Sequence, residues 1–337
     1  MLQFSVIIPV RNGQRFLKNA LTSIVNQRAD NVEVLVINDS STDKTAEIAK
    51  QYASKYNYIR LINSVGQGVS SARNTGIQNS QGDYVLFLDV DDFYVNNAFS
   101  SFEKLIAANN SVDVIFSGYR RVTADGSLIK NFSYSYSSGN GVNVAIEYLN
   151  KKAFTHLGAF CFKRNLLVEK SLIFQPELNY AEDIVFISKV LFEAKTVVAL
   201  ETETYCWTLR MGSTLYTNTL EKFNSLEALS YLRRYLSKKD EFTETVDRAI
   251  CTQYALLLLD SAASLLWMGS SVWKVRNKIN EIVDWDMIPS FENLAKNIRN
   301  DVIFLKHTRT LYLVCKKLFY IPYNFRIKGI IKYRTKE

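Results

Sequence analysis

Three carboxylates, Asp89, Asp91 and Asp92, fall within four residues directly after the apolar run Val85-Leu86-Phe87-Leu88. Like charges crowded at the end of a core strand repel one another, and a bound cation relieves that repulsion. Oxygen ligands with no His or Cys beside them select a hard ion, Mg²⁺ or Mn²⁺, which keeps some waters and shares its shell with substrate phosphates. The plain alternative is a solvated acidic turn that caps the next helix. A second acid, Asp39, closes another apolar run in Asn38-Asp39-Ser40-Ser41-Thr42-Asp43. A carboxylate there can accept a hydrogen bond from a base N–H or a ribose hydroxyl, while Ser40, Ser41 and Asp43 serve as helix caps. A third segment, Gly66-Gln67-Gly68-Val69-Ser70-Ser71-Ala72-Arg73, combines glycines, a helix start and a cation. Backbone N–H groups at a helix N-terminus together with Arg73 make an anion pocket.

These residues need elements that bring them together. The first 120 residues alternate short apolar runs with segments of helical period, the pattern of βαβ units. Five strands are expected, at Phe4 to Val10, Val32 to Ile37, Tyr58 to Ile62, Tyr84 to Leu88 and Val112 to Phe116. Phe16, Leu17, Ala20, Leu21, Ile24 and Val25 recur at helical spacing, a second helix runs to about Tyr56, and a third starts near Ser70. In such a sheet ligands lie outside the carboxyl ends of the strands. That rule gathers Pro9 to Asn12, Asn38 to Ser40, Asn63 to Arg73 and Asp89 to Asp92 into one site. Phe132 to Gly141 is rich in Ser, Tyr and Gly and reads as an exposed loop or an irregular edge hairpin. From about Leu220 the pattern turns helical, which places a domain boundary near residue 220, with a nucleotide-binding half at 1–120 and an acceptor half at 121–220 before it.

Composition removes several function classes. The four cysteines are scattered, so neither a disulfide framework nor a zinc site is indicated. His156 and His307 are isolated and read as ordinary structural or surface residues. The glycines follow the third strand rather than the first, against a nicotinamide-binding fingerprint, and no P-loop is present. No signal peptide precedes the first strand, and Ala255 to Leu259 is interrupted by Asp260, so a cytoplasmic chain that does not cross a membrane is expected. The net charge of +8 is concentrated in residues 306–337, where nine bases face one acid among interleaved aromatic and aliphatic residues. Such a segment lies on an anionic membrane surface or packs on the body with a solvated basic face. Nothing beside the charge indicates nucleic-acid binding.

Four segments, in order, carry a resemblance. Ser5-Val-Ile-Ile-Pro-Val-Arg-Asn12, Val36-Ile-Asn-Asp-Ser-Ser-Thr-Asp43, Gly68-Val-Ser-Ser-Ala-Arg-Asn-Thr-Gly76 and Gly82-Asp-Tyr-Val-Leu-Phe-Leu-Asp-Val-Asp-Asp92 resemble the successive motifs of family 2 glycosyltransferases. Tyr180-Ala-Glu-Asp-Ile-Val-Phe186 is similar to the segment that holds the family's catalytic base. The likeness covers about residues 3 to 215 and implies a GT-A fold: α/β, Rossmann-like, with a mostly parallel sheet covered by helices on both faces, followed by a smaller C-terminal helical region. It further implies inverting transfer from a nucleoside-diphosphate sugar, with UDP favoured, to a glycan or lipid-linked glycan hydroxyl in surface-polysaccharide synthesis. By that similarity Pro9, Val10, Asn12, Asp39 and Arg73 line the nucleotide, Asp89 meets the ribose or the metal shell, and Asp91 holds Mn²⁺ or Mg²⁺ directly. Asp183 is the expected base, with Glu182 orienting it or meeting the acceptor. Tyr205 to Ser213 resembles a segment that folds over the donor phosphates, where Arg210 clamps the diphosphate. Asn38, Ser40 and Arg11 depart from the residues the family often has and bear on base contact. A processive synthase would have transmembrane helices and a Gln-x-x-Arg-Trp motif, so a single transfer is expected. A sugar nucleotidyltransferase and a non-catalytic nucleotide-sugar or glycan-binding protein remain as alternatives.

Overall fold

The computed structural model describes residues 3–27, 30–109, 111–133, 138–151, 155–210 and 219–287. The basic segment 306–337, His307, Met211 to Ser213 and the middle of the Ser/Tyr/Gly-rich stretch lie outside them.

Among the described residues the strands are β1 (Phe4–Val10), β2 (Val32–Asn38), β3 (Ile59–Asn63), β4 (Tyr84–Phe87), β5 (Phe93–Tyr94), β6 (Val114–Thr123), β7 (Leu128–Phe132), β8 (Phe160–Lys163) and β9 (Val197–Leu209). They form one nine-stranded mixed sheet in the order β3-β2-β1-β4-β8-β6-β9-β5, with β7 on β6. The first four pair in parallel. β8 runs against both β4 and β6, which restores the original direction for β6, and β9 lies parallel to β6. Six strands therefore point the same way, while β5, β7 and β8 oppose them.

Alternation along the strands sends side chains to two apolar layers. From β1, Ile7 enters one layer and Phe4, Val6, Ile8 and Val10 the other. The second layer is closed by α1 (Leu17–Val25), α2 (Thr45–Lys55) and α4 (Ala98–Ala108). α1 buries Leu17, Ala20, Leu21 and Ile24, the stripe its spacing predicts. The first layer is closed by α3 (Val69–Asn79), α5 (Gly141–Leu149), α6 (Arg164–Glu169) and α7 (Glu182–Glu193). α3 approaches β1 closely because Gly76 has no side chain: a Cβ there would sit 2.3 Å from Ile7 Cγ2.

The chain after Leu220 forms α8 (Asn224–Leu236), α9 (Glu244–Trp267) and α10 (Val272–Ile282). Leu226, Leu229, Tyr254 and Leu258 join the same apolar cluster as β1 and α7, so these helices add a further layer to that core. The apolar run at Ala255 belongs to a longer helix than its interruption suggests. Glu244–Leu266 is apolar and long enough to cross a membrane, yet 65% of its window is buried inside the fold, as for a core helix.

Candidate active site

The loops after β1, β2, β3 and β4 meet at one end of the sheet, and hydrogen bonds stitch the first two together. Asn12 N–H donates to Ser41 Oγ at 3.0 Å, and Asn12 Oδ1 accepts from the Thr42 N–H at 2.8 Å. Gly13 N–H donates to Thr45 Oγ1 at 2.8 Å, and Gln14 N–H to Asp43 Oδ2 at 3.1 Å. Asn12 thereby shapes the loop. Pro9 and Val10 are buried, and the Val10 carbonyl accepts the Asp39 N–H at 2.9 Å.

Asp39 is only 4% exposed. Its Oδ2 accepts from the Gly68 N–H at 3.0 Å, and its Oδ1 has no hydrogen-bond partner among the described residues. A buried acceptor left unmatched costs about 1–3 kcal/mol, which a donor on a ligand would recover. Gly68 holds φ +89°, a left-handed conformation that any side chain would strain, at the entry to α3.

Arg73, on the first turn but one of α3, is a brace between two parts of the site. Its guanidinium donates to Asp89 Oδ1 and to Glu182 Oε1, each at 2.9 Å, and lies over the Phe174 ring at 5.1 Å. Burial disfavours its charge, but the Asp89 and Glu182 carboxylates reverse that and raise its pKa. Two of its nitrogens are thus committed within the protein, and Nε has no partner among the described residues.

The acidic cluster divides. Asp89 and Asp91 stay toward the cleft, their side chains 42% and 19% exposed. Asp91 accepts from Arg210 Nε, whose guanidinium rests over Phe16 at 5.0 Å. Asp92 turns inward, 3% exposed, and accepts from the Tyr205 hydroxyl and from the Thr208 N–H at 2.7 Å. Burial first, then the charges of Asp91 and Asp89, push its carboxyl well above the usual range. Asp92 therefore ties the end of β4 to β9. Among the described residues no three His, Cys, Asp or Glu side chains form a closed metal cage. Asp89 and Asp91, each paired with an arginine, are two hard oxygen donors at the strand end, the donor type that a divalent ion such as Mg²⁺ takes.

Opposite them, α7 begins abruptly. Ala181 caps it in the left-handed region, φ +57° and ψ +21°, so Glu182 and Asp183 occupy its first turn. Asp183 Oδ1 accepts from the Ile184 N–H at 2.8 Å. Burial and the neighbouring Glu182 carboxylate outweigh the opposing pull of Arg73 and lift Asp183 to about 7. His156 lies flat on Trp207, centroids 5.1 Å apart, and edge-on to Tyr119 at 4.5 Å. Burial pushes its imidazole down to about 4 although Asp89 pulls the other way, so it is neutral at pH 7.

Residues 5–169 match the family described as "Glycosyl transferase family 2". Residues 5–169 form a glycosyltransferase family 2 domain. Among relatives, the uncharacterized glycosyltransferase EpsJ of Bacillus subtilis (strain 168) is 27% identical over 99% of this chain and 98% of its own. Among solved structures, S. aureus TarS residues 1–349 in complex with UDP-GlcNAc superpose with a TM-score of 0.62 at 19% identity, covering 82% of this chain and 84% of that one. The mannosyltransferase PcManGT from Pyrobaculum calidifontis, in complex with GDP-Man and Mn²⁺, gives 0.56 at 16% identity over 99% and 88%. Both likenesses carry the GT-A fold.

In this glycosyltransferase the structure brings Asp39, Arg73, Asp89, Asp91, Asp183 and Arg210 to one end of the sheet. Three features had no local signal. The Arg73–Glu182 pair joins residues 109 apart in sequence. The inward turn of Asp92 depends on β9, and so does the stacking of His156 on Trp207.

Proposed function

We propose that this glycosyltransferase moves one sugar, with inversion, from a UDP-sugar to a hydroxyl of a glycan or lipid-linked glycan acceptor in surface-polysaccharide synthesis. The observation that carries the reading is the chain Asp183–Glu182–Arg73–Asp89, which couples a carboxyl poised at about 7 to the strand end where a diphosphate would sit. An alcohol is a poor nucleophile at neutral pH, so a carboxylate must take its proton as the new bond forms. Asp183 is assigned that role: the acceptor oxygen bonds to the anomeric carbon, its proton goes to Asp183, and the diphosphate leaves with the bonding pair. Asp39 Oδ1, buried and unmatched, is assigned to a base N–H or ribose hydroxyl of the nucleotide. Pro9 and Val10 supply the wall beneath it, and Asn12 holds that wall's loop. A divalent ion, Mn²⁺ or Mg²⁺, bound by Asp91 and Asp89 would supply Lewis-acid stabilisation to the leaving diphosphate. Arg210, on Asp91 in this structure, is assigned to the diphosphate once the donor is present.

UDP is proposed on the family resemblance, and the UDP-GlcNAc complex of TarS supports it. The GDP-Man and Mn²⁺ complex of PcManGT supports the metal and supplies the contrasting base to test. Work at the cytoplasmic membrane face, held by residues 306–337, completes the proposal. The family match speaks against the nucleotidyltransferase alternative, and the acidic set Asp89, Asp91 and Asp183 speaks against a non-catalytic protein that kept the fold.

The test is Asp183→Asn assayed for UDP-sugar affinity and for transfer. Affinity within about threefold of wild type with transfer lost supports the base role; transfer retained overturns it. Asp91→Asn, or EDTA with the wild type, should abolish both donor hydrolysis and transfer, and unchanged rates would remove the metal assignment.

A further inference from the structure

Beside the donor site, β7, β6 and β9 carry two rows of side chains on one face, the second of which includes the buried Tyr119 and Tyr205. Directly opposed residues share a face, as do residues two apart on a strand. Lys130, Arg121 and Trp207 form one row, and Phe132, Tyr119 and Tyr205 the next. The contacts agree: Arg121 lies between the Phe132 ring at 5.1 Å and the Trp207 ring at 4.9 Å, and Lys130 Nζ is 4.9 Å from the Phe132 centroid. The Phe132 and Tyr119 rings stack at 4.5 Å. The rows adjoin the site through buried ties: Tyr205 bonds Asp92, the neighbour of Asp91, and Trp207 stacks on His156.

Two cations facing each other across a strand pair destabilise it. Among the described residues neither Arg121 nor Lys130 has an ion-pair partner, and Arg121 Nε is buried without a hydrogen bond. The next residue, Arg120, has Glu203 at 3.7 Å. The fold thus pairs one arginine of the two with an acid and leaves the other packed against the Phe132 and Trp207 rings. A ring-packed guanidinium beside an exposed ammonium suits a tetrahedral dianion or phosphodiester.

We propose that Arg121 and Lys130 bind a phosphoryl group of the acceptor, so that this enzyme glycosylates a phosphate-bearing acceptor in preference to a neutral glycan. The assignment rests on the glycosyltransferase reading of the adjoining site. Its ligand chemistry has two sources, a polyol-phosphate chain or a lipid-linked sugar diphosphate.

The experiment is calorimetric titration of the full chain saturated with UDP, using three probes: a glycerol-phosphate oligomer, farnesyl-diphosphate-linked N-acetylglucosamine, and neutral chitotetraose. At least one phosphate probe should bind about tenfold or more tightly than chitotetraose, and which one binds names the source. Arg121→Gln should erase that advantage, and Lys130→Gln, at an exposed position, should reduce it severalfold and weaken its salt dependence. UDP affinity, read on the same samples, reports that the donor side still folds. Phosphate probes that bind no better than chitotetraose, or that bind both variants as they bind wild type, overturn the inference while leaving the donor reading intact. A wild-type chain that fails to bind UDP overturns both.

Discussion

Asp183 must be charged to accept a proton, and its surroundings resist that charge. With its carboxyl lifted to about 7, kcat/KM should rise as pH climbs through that value and level off above it. The sign for stability is opposite. The folded protein holds this proton more tightly than the unfolded chain, so stability present below the ordinary carboxylate range is lost as pH rises toward 7. Asp183→Asn should therefore lower transfer by about 10²–10⁴-fold. It should also raise Tm at pH 8 by about 1–2 °C, for roughly 1 kcal/mol of relieved repulsion. Paired pH–rate and melting curves check both; a Tm that falls would show Asp183 to be a structural cap. The pairing of Glu182 with Asp183 was visible as two adjacent acids before an apolar run. What they face was not, because Arg73 reaches them from the third helix.

At the scale of elements, legibility followed locality. The first four strands lie within one or two residues of their expected positions, since each is an apolar run covered on both faces. Of the rest of the sheet only the start of β6 was expected, at Val112 to Phe116: β9 mixes exposed Glu201 and Thr202 with buried Tyr205 and Cys206, and its identity comes from its partners. The same locality explains the acidic cluster. Spacing grouped Asp89, Asp91 and Asp92, but only the arrival of β9 turns Asp92 into a tie to Tyr205 and Thr208. Asp92→Ala should accordingly destabilise the fold by about 1–3 kcal/mol, by stranding a buried hydroxyl and N–H. It should lower donor affinity as well, because Thr208 precedes the Arg210 that meets Asp91. Chemical denaturation beside a UDP titration separates the two effects. A variant as stable as wild type would mean that Asp92 is not the strut proposed for it.

For the whole molecule the decisive asymmetry is charge. Bases number 41 and acids 33, yet 306–337 alone holds nine bases and one acid, so the remainder is balanced. A balanced body with one basic, aromatic-rich segment concentrates its attraction for anionic surfaces at one place, worth about 1 kcal/mol per basic residue close to a charged bilayer. That attraction is Coulombic and is screened over about 10 Å at 0.1 M salt and about 3 Å at 1 M. The full chain should then co-sediment with vesicles containing anionic lipid at 0.1 M salt and dissociate as salt approaches 1 M, while zwitterionic vesicles leave it in the supernatant. Anchoring of this kind would bring the enzyme to the surface that holds a lipid-linked acceptor. Equal sedimentation with both vesicle types would replace the electrostatic account with apolar insertion. No sedimentation with either would leave the charge as the solvated face of a segment packed on the body.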